Sequence, residues 1–261
     1  MTEKKQLINL YAKDEQIVNA AIDKIVVDLF NKREDGERGQ IIVLTGCSPL
    51  AGTTYTSIAL GIAMATSRRK TLVIDCDVRK ALKYKKLNEQ ASVGLADCLL
   101  KEEVRVKEAI YETNIENLSY MPCGEYSNHS TRVLCSPKME DLIAEIREDY
   151  DCILMDVPSI TIVPDAQILF PMVDGIVLLS ALGETRKAQI KEAKMKTAPF
   201  FEKYYGMIVN KIPLDVYRQN VKDYDYYFTD KKGEQKLHKS EAYQKYKRRK
   251  NHDRQGGKSN E

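Results

Sequence analysis

No stretch of this 261-residue chain approaches the ~18 uninterrupted apolar residues that a membrane span requires. The start, MTEKKQLINLYAKDEQ, lacks the apolar core and small-residue cleavage site of a signal peptide. A cytoplasmic protein is therefore expected, not inserted in a membrane but free to dock on a membrane protein. No CxxC pair occurs among the six cysteines, Cys47, Cys76, Cys98, Cys123, Cys135 and Cys152, and several stand inside apolar runs. Free buried thiols in a reducing compartment fit that scatter better than disulfides or zinc. Histidine is scarce: His129, His238 and His252 lie far apart in polar sequence, which argues against a histidine metal site. No internal repeat is found.

Apolar residues make up 43% of the chain, near the average for globular proteins. The length fits one domain with extensions. A net charge of +3 conceals an asymmetry: residues 216–261 hold thirteen Lys/Arg against seven Asp/Glu, a net +6, so the remainder sums to −3. The basic excess belongs to the tail alone.

Residues 13–34 carry apolar side chains at helical spacing (Ile17, Ala20, Ala21, Ile25, Val26, Leu29, Phe30), which predicts an amphipathic helix, followed by the charged linker KREDGERG. From Gln40 short apolar runs alternate with longer helical segments. Strands are predicted at 40–46, 70–77, 117–124, 150–156, 174–180 and 205–211, and helices at 53–67, 136–148, 165–173 and 184–202. Ser136 can cap the 136–148 helix, with proline in its first turn. Strands that are apolar throughout and separated by helices imply a mostly parallel sheet covered on both faces by right-handed crossovers. The expected organisation is an N-terminal helical extension and linker over 1–37, a three-layer α/β domain over 38–213, and a basic, tyrosine-rich, flexible or locally helical tail over 214–261.

Ligands of such sheets bind beyond the carboxyl ends of the strands, and three loops there carry chemistry. TGCSPLAGTTYTS (45–57) is a glycine-containing turn into a helix N-terminus, able to offer N–H groups to a phosphate. The usual phosphate loop ends G-K-S/T; this one ends Gly52-Thr53-Thr54, and alone it fits an ordinary strand-to-helix turn equally well. LVIDCDVRK (72–80) sets Asp75 and Asp77 at one loop mouth, where they could hold Mg2+ and orient a nucleophile or be simple surface acids. YDCILMDVPS (150–159) is an apolar strand ending in Asp156, the Walker B arrangement for a carboxylate that reaches Mg2+. The three in this order are far more specific than any one.

Together these pieces make residues of about 40–213 resemble the cytoplasmic catalytic domain of bacterial tyrosine kinases of capsule and exopolysaccharide systems, a branch of the deviant P-loop ATPases. SPLAGTTYTS is similar to the family's P-G-E-G-K-S/T-x-T-S loop, LVIDCDVRK to its I-D-A-D-L-R-K/R, and GLADCLL (94–100) to its G-L-S-D-x-L. YDCILMDVPSITIVPDAQILFPMVDGIVLL (150–179) resembles its Y-D-x-I-I-D-x-P-P segment with the D-A and V-D-G-V that follow, and GMIVNKI (206–212) its G-x-V-L-N strand. The resemblance implies a P-loop NTPase-type fold, ATP and Mg2+ as cofactors, and transfer of phosphate to tyrosine. Gly52, Thr53 and Tyr55 would then hold nucleotide, and Thr54, Asp75 and Asp156 would hold Mg2+ directly or through water. Asp77, with Asp75, would serve the reacting hydroxyl, and Asn210 would lie near the adenine. Tyr217, Tyr224, Tyr226, Tyr227, Tyr243 and Tyr246 resemble the autophosphorylated tail cluster. The implied partner is a membrane-bound activator of the polysaccharide copolymerase class that recruits the protein to the inner face of the membrane, with homo-oligomer formation a second option. No nucleic acid is expected, despite KYKRRK (245–250).

The departures point to an impaired kinase or a nucleotide-binding scaffold, with a partition-type ATPase switch as a further alternative. Thr53 stands where the family has the lysine that bridges the β- and γ-phosphates, and Ser48 where the partition ATPases have theirs. Arg79 and Lys80 are the candidates for a partial substitute. Leu50 occupies a usually glycine position and would be strained if the site requires φ > 0. MPCGEYSNHS lacks the family's proline-rich stretch, and NAAIDKIVVDLF lacks the arginines of its E-x-x-R-x-x-R oligomerisation motif.

Overall fold

In the computed structural model, residues 7–12, 15–32, 39–79, 93–125, 127 and 129–220 are described. The elements in chain order are α1 (Gln16–Phe30), β1 (Gln40–Gly46), α2 (Thr53–Thr66), β2 (Thr71–Asp75), α3 (Leu95–Leu100), β3 (Tyr111–Glu112), β4 (Leu118–Met121), α4 (Ser130–Leu134), α5 (Pro137–Asp149), β5 (Cys152–Val157), α6 (Asp165–Leu169), β6 (Gly175–Ala181), α7 (Lys187–Thr197), β7 (Tyr204–Asn210) and α8 (Leu214–Asn220). Packing divides the chain into two units, Met1–Ile212 and Pro213–Glu261.

The first unit holds one seven-stranded sheet in the order β3-β4-β2-β5-β1-β6-β7. Every pairing from β4 to β7 is parallel, and only β3 runs antiparallel, against β4. β1, β2, β5 and β6 are buried along their whole length, as their unbroken apolar runs require.

Side chains alternate across a strand, and the sheet sorts them into two cores. Ile42 and Leu44 of β1, Val73 of β2, Leu154 of β5 and Val177 of β6 pack with Leu60 and Met64 of α2 and with Val26 and Leu29 of α1. Their neighbours Ile41, Val43, Leu72, Ile153 and Ile176 face the other way, onto α5 (Met139, Leu142, Ile143, Ile146), Phe170 and Ala193. These are the expected three layers. The α5 cap is also as expected: the Ser136 Oγ accepts from the Lys138 N–H at 3.3 Å, with Pro137 in the first turn.

Residues 7–12 close the sheet edge. The Ile8 N–H donates to the Glu112 carbonyl at 3.0 Å, and the Leu10 N–H donates to Asn114 Oδ1 at 2.7 Å. Ile8 and Leu10 are buried in the α1–α2 core, so the short β3 does not present an open ladder to solvent. In the second unit, α8 carries Tyr217, half-buried, whose N–H donates to the Pro213 carbonyl at 2.9 Å. The tail tyrosines Tyr224, Tyr226, Tyr227, Tyr243 and Tyr246, and Lys80, lie outside the described residues.

A buried acid joins two loops. Asp97 of α3 accepts from the Gly94 N–H at 2.9 Å and the Glu125 N–H at 3.1 Å, and its other oxygen pairs with the Lys101 ammonium at 2.7 Å. The Lys101 ammonium is held above its ordinary range by those bonds to Asp97 and Glu125. Asp97→Ala leaves two N–H donors without their acceptor, a loss of about 2–3 kcal/mol, which lowers Tm by about 4–12 °C for a domain of this size. Thermal denaturation followed by circular dichroism measures it.

Candidate active site

The order of strands decides which loops meet. The chain leaves β1 for β2 and β4 on one side, returns to β5, then crosses to β6 and β7 on the other. The carboxyl ends of β2, β5 and β1 therefore stand side by side at the switch point where such sheets bind ligands. Asp75 of β2 is paired with Asp156 of β5, and Asp156 in turn with Leu44 of β1, two residues before Gly46. The Cys76 N–H donates to the Asp156 carbonyl at 2.9 Å, and the Asp77 N–H donates to Asp75 Oδ1 at 3.0 Å. All three acids are buried or nearly so. The structure thus sets Asp75 beside Asp156, with Asp77 tied to Asp75 through its backbone N–H.

The loop after β1 curls over its own start. A Cβ on Gly46 would lie 2.7 Å from the Ser48 carbonyl oxygen and 3.3 Å from Thr53 Oγ1. Gly52, the N-cap of α2, has φ +91°, and a Cβ there would run into the Asn210 amide nitrogen. Only glycine fits on both counts. Asn210, at the end of β7, donates to the Ala51 carbonyl at 3.0 Å and accepts from the Lys211 N–H at 2.8 Å. It ties the last strand to the loop.

Further bonds hold the loop from the β5 and β6 sides. The Ile160 N–H donates to the Gly46 carbonyl at 3.1 Å, the Thr161 hydroxyl donates to the Cys47 carbonyl at 3.1 Å, and the Thr45 hydroxyl donates to the Pro158 carbonyl at 2.7 Å. The Cys47 N–H donates to the Leu179 carbonyl at 2.7 Å. Ser48 and Thr185 share a hydroxyl–hydroxyl bond of 2.7 Å. Burial pushes the Cys47 thiol up to about 11, with the Lys194 ammonium acting weakly the other way, so the thiol is neutral and unreactive at neutral pH.

Among the described residues, the N–H groups of Leu50, Ala51, Gly52, Thr53 and Thr54 have no acceptor within the protein. They form the open positive end of the fourteen-residue α2. An anion is the natural occupant, and two glycine positions closed to any Cβ shape the turn around it. The fit to nucleotide with Mg2+ is good in donor chemistry: N–H groups for phosphate, the Thr54 hydroxyl and two neighbouring carboxylates for the metal. Thr54 and Tyr55 are exposed at the start of α2.

Arg79 is engaged away from the β1 loop. Its guanidinium forms a two-pronged ion pair with Asp165, at 2.8 Å for Nη2–Oδ1, and reaches Thr131 at 3.5 Å. Asp165 is fully buried at the first turn of α6. Burial pulls Arg79 below its ordinary range, and the Asp77 charge partly restores it. Arg79 braces the turn that carries Asp77.

Sequence reasoning missed the structural roles of Asp97, Asp165, Thr185 and Asp174. The Asp174 carboxylate accepts from the Ile41 N–H at 2.8 Å and is gripped by Arg147 at 2.9 and 3.1 Å. The D-A and V-D-G pieces were visible as resemblance only; their partners are remote in sequence and no spacing rule connects them.

A family model described as an AAA domain matches residues 40–171. The tyrosine-protein kinase CpsD of Streptococcus pneumoniae serotype 4 (strain ATCC BAA-334 / TIGR4) is 31% identical over 192 residues, covering 73% of this chain and 84% of that protein. The kinase domain of Escherichia coli tyrosine kinase ETK superposes with a TM-score of 0.70 over 81% of this chain and 84% of that one, at 19% identity. The septum site-determining protein MinD of Pyrococcus horikoshii OT3, complexed with Mg-ADP, superposes with a TM-score of 0.54 over 69% and 76%, at 21% identity. At those identities the two solved structures speak for the fold.

Leu50 has φ +60° and is 84% exposed. The left-handed conformation that glycine adopts freely is here imposed on a leucine whose side chain stands almost wholly in solvent, a strain of about 1–2 kcal/mol. Leu50→Gly relieves it at an entropic cost of about 0.5–1 kcal/mol. Urea unfolding is expected to show stability unchanged or raised by up to ~1.5 kcal/mol; a clear loss contradicts the strain.

Proposed function

Since this chain belongs to the bacterial tyrosine-protein kinase family of P-loop ATPases, we propose that it binds Mg·ATP at the carboxyl edge of its sheet and directs phosphate onto tyrosines of its own or a neighbouring chain's tail. The observation that carries the reading is the register that sets Asp75 beside Asp156 under the open N-terminus of α2. Bound there, Mg·ATP supplies a γ-phosphoryl group already polarised by the metal. The N–H groups of Gly52 and Thr53 hold the phosphates, Thr54, Asp75 and Asp156 hold the metal directly or through water, and Tyr55 flanks them. Asp77 takes the proton from the accepting tyrosine hydroxyl. Asn210 keeps the loop in place and lies near the base. The accepting tyrosines are Tyr217, Tyr224, Tyr226, Tyr227, Tyr243 and Tyr246. A membrane-bound activator of the polysaccharide copolymerase class recruits the chain to the inner face of the membrane, where it regulates capsular or extracellular polysaccharide assembly. Among the described residues no helix is long and apolar enough to cross a membrane, which supports recruitment by a partner.

A second reading, a degenerate kinase serving as a nucleotide-binding scaffold, is favoured by Thr53 together with the strained Leu50. Loss of one charged or hydrogen-bonding group that stabilises a transition state costs about 2.7–4 kcal/mol, or 10²–10³ in rate. Backbone donors and carboxylates still bind nucleotide without it.

Calorimetry with ADP and Mg2+ is expected to show weak binding that Asp156→Ala weakens further; tight binding indifferent to Asp156 removes the proposed site.

Incubation with Mg·ATP followed by mass spectrometry separates the two readings. The kinase reading expects phosphotyrosine at Tyr224, Tyr226 or Tyr227, lost in Asp77→Ala and increased up to about 10²–10³-fold in initial rate by Thr53→Lys. Inactivity of both wild type and Thr53→Lys leaves the scaffold reading standing. Each phosphate adds about −1.5 to −2 charges, so a few modifications cancel the +6 of residues 216–261.

A further inference from the structure

Tyr120 is a polar side chain in a place built for an apolar one. On β4 it pairs with Val73 of β2, two residues before Asp75, and Asp75 pairs with Asp156 of β5. Positions two apart on a strand share a face. Val73, Leu154 and Tyr120 all pack in the α1–α2 core, so Asp75 and Asp156 emerge on that same face about 7 Å further along the strands. The ring is 1% exposed. Among the described residues its hydroxyl makes no hydrogen bond. A phenylalanine would fill almost the same volume without burying an O–H. Burial, followed by the charges of Asp75 and Asp156, keeps the phenol neutral. Its O–H is a donor on the face from which the two carboxylates emerge.

We propose that Tyr120 is a positioning residue for the metal site, its hydroxyl donating through one buried water to the Asp75–Asp156 pair and orienting the oxygens they turn toward Mg2+. The proposal rests on the reading of those two acids as metal-holding residues. Outer partners of this kind set the direction and basicity of ligand oxygens without touching the metal, and their loss typically costs about 10–100-fold in metal affinity. The unlinked position of Tyr120, on a strand that carries no loop motif, explains why no spacing pattern reveals it.

Tyr120→Phe tests it by calorimetry of ADP with and without Mg2+, together with thermal melting of the free protein. The expected result is an ADP affinity about 10–100-fold weaker in Mg2+, an unchanged affinity in EDTA, and no further loss when Tyr120→Phe is added to Asp156→Ala. A variant that binds Mg·ADP like wild type and melts higher shows the hydroxyl to be an unsatisfied core group, and overturns the proposal while leaving the metal-site reading intact. If Asp156→Ala itself leaves the Mg2+ dependence unaltered, the assignment of the acids falls and Tyr120 falls with it. Equal losses with and without Mg2+ in Tyr120→Phe mean a general packing defect, which also overturns it.

Discussion

Parallel pairing of β2, β5 and β1 in one register is the constraint on which the chemistry depends. Each strand is apolar on both faces because helices cover both, and burial of these faces drives the three strands into alignment. The alignment ends each strand at the same height, so that polar residues with no room inside the sheet appear together at its carboxyl edge. Asp75, Asp156 and the turn beginning at Gly46 are neighbours for this reason. A slip of one residue in any strand would turn its carboxylate onto the opposite face.

Around that edge the loops are held mainly by backbone carbonyls receiving side-chain or main-chain donors. Asn210 holds Ala51, Thr161 holds Cys47, Ile160 holds Gly46, and Lys196 donates to the Ile160 carbonyl at 2.9 Å. The loops after β1 and β5 are therefore one part, with α7 attached. Charge pairs add further ties between elements. Arg79–Asp165 and Arg147–Asp174 join elements whose chain positions are 86 and 27 residues apart, each desolvated enough to be costly if one partner is lost.

Much of this was legible beforehand. Long apolar strands such as β1, β5 and β6 declare themselves because burial on both faces leaves no polar residue to confuse the period. The acids at their ends were legible because strand-end aspartates at three loops in order form a pattern. The two-residue β3 and five-residue α4 were not, since elements so short have no period to read. α3 shows in the sequence only as the GLADCLL motif; that Asp97 fastens its start to the loop beyond β4 depends on a fold that first brings the two together. The helix predicted over 184–202 divides into α7 and a 3-10 turn, Ala198–Lys203, where Pro199 removes a backbone donor. Tyr120 was hidden for the opposite reason: an aromatic in an apolar strand looks like core.

The β1 loop contains positions with very different freedom. Gly52 is locked by its own backbone and by the Asn210 amide against it, whereas the Leu50 side chain stands in solvent. Drift at the first position destroys the turn, but drift at the second leaves the sheet, its cores and its loop braces untouched. The rim of the loop can therefore change its side chains without a matching change in the scaffold that carries it.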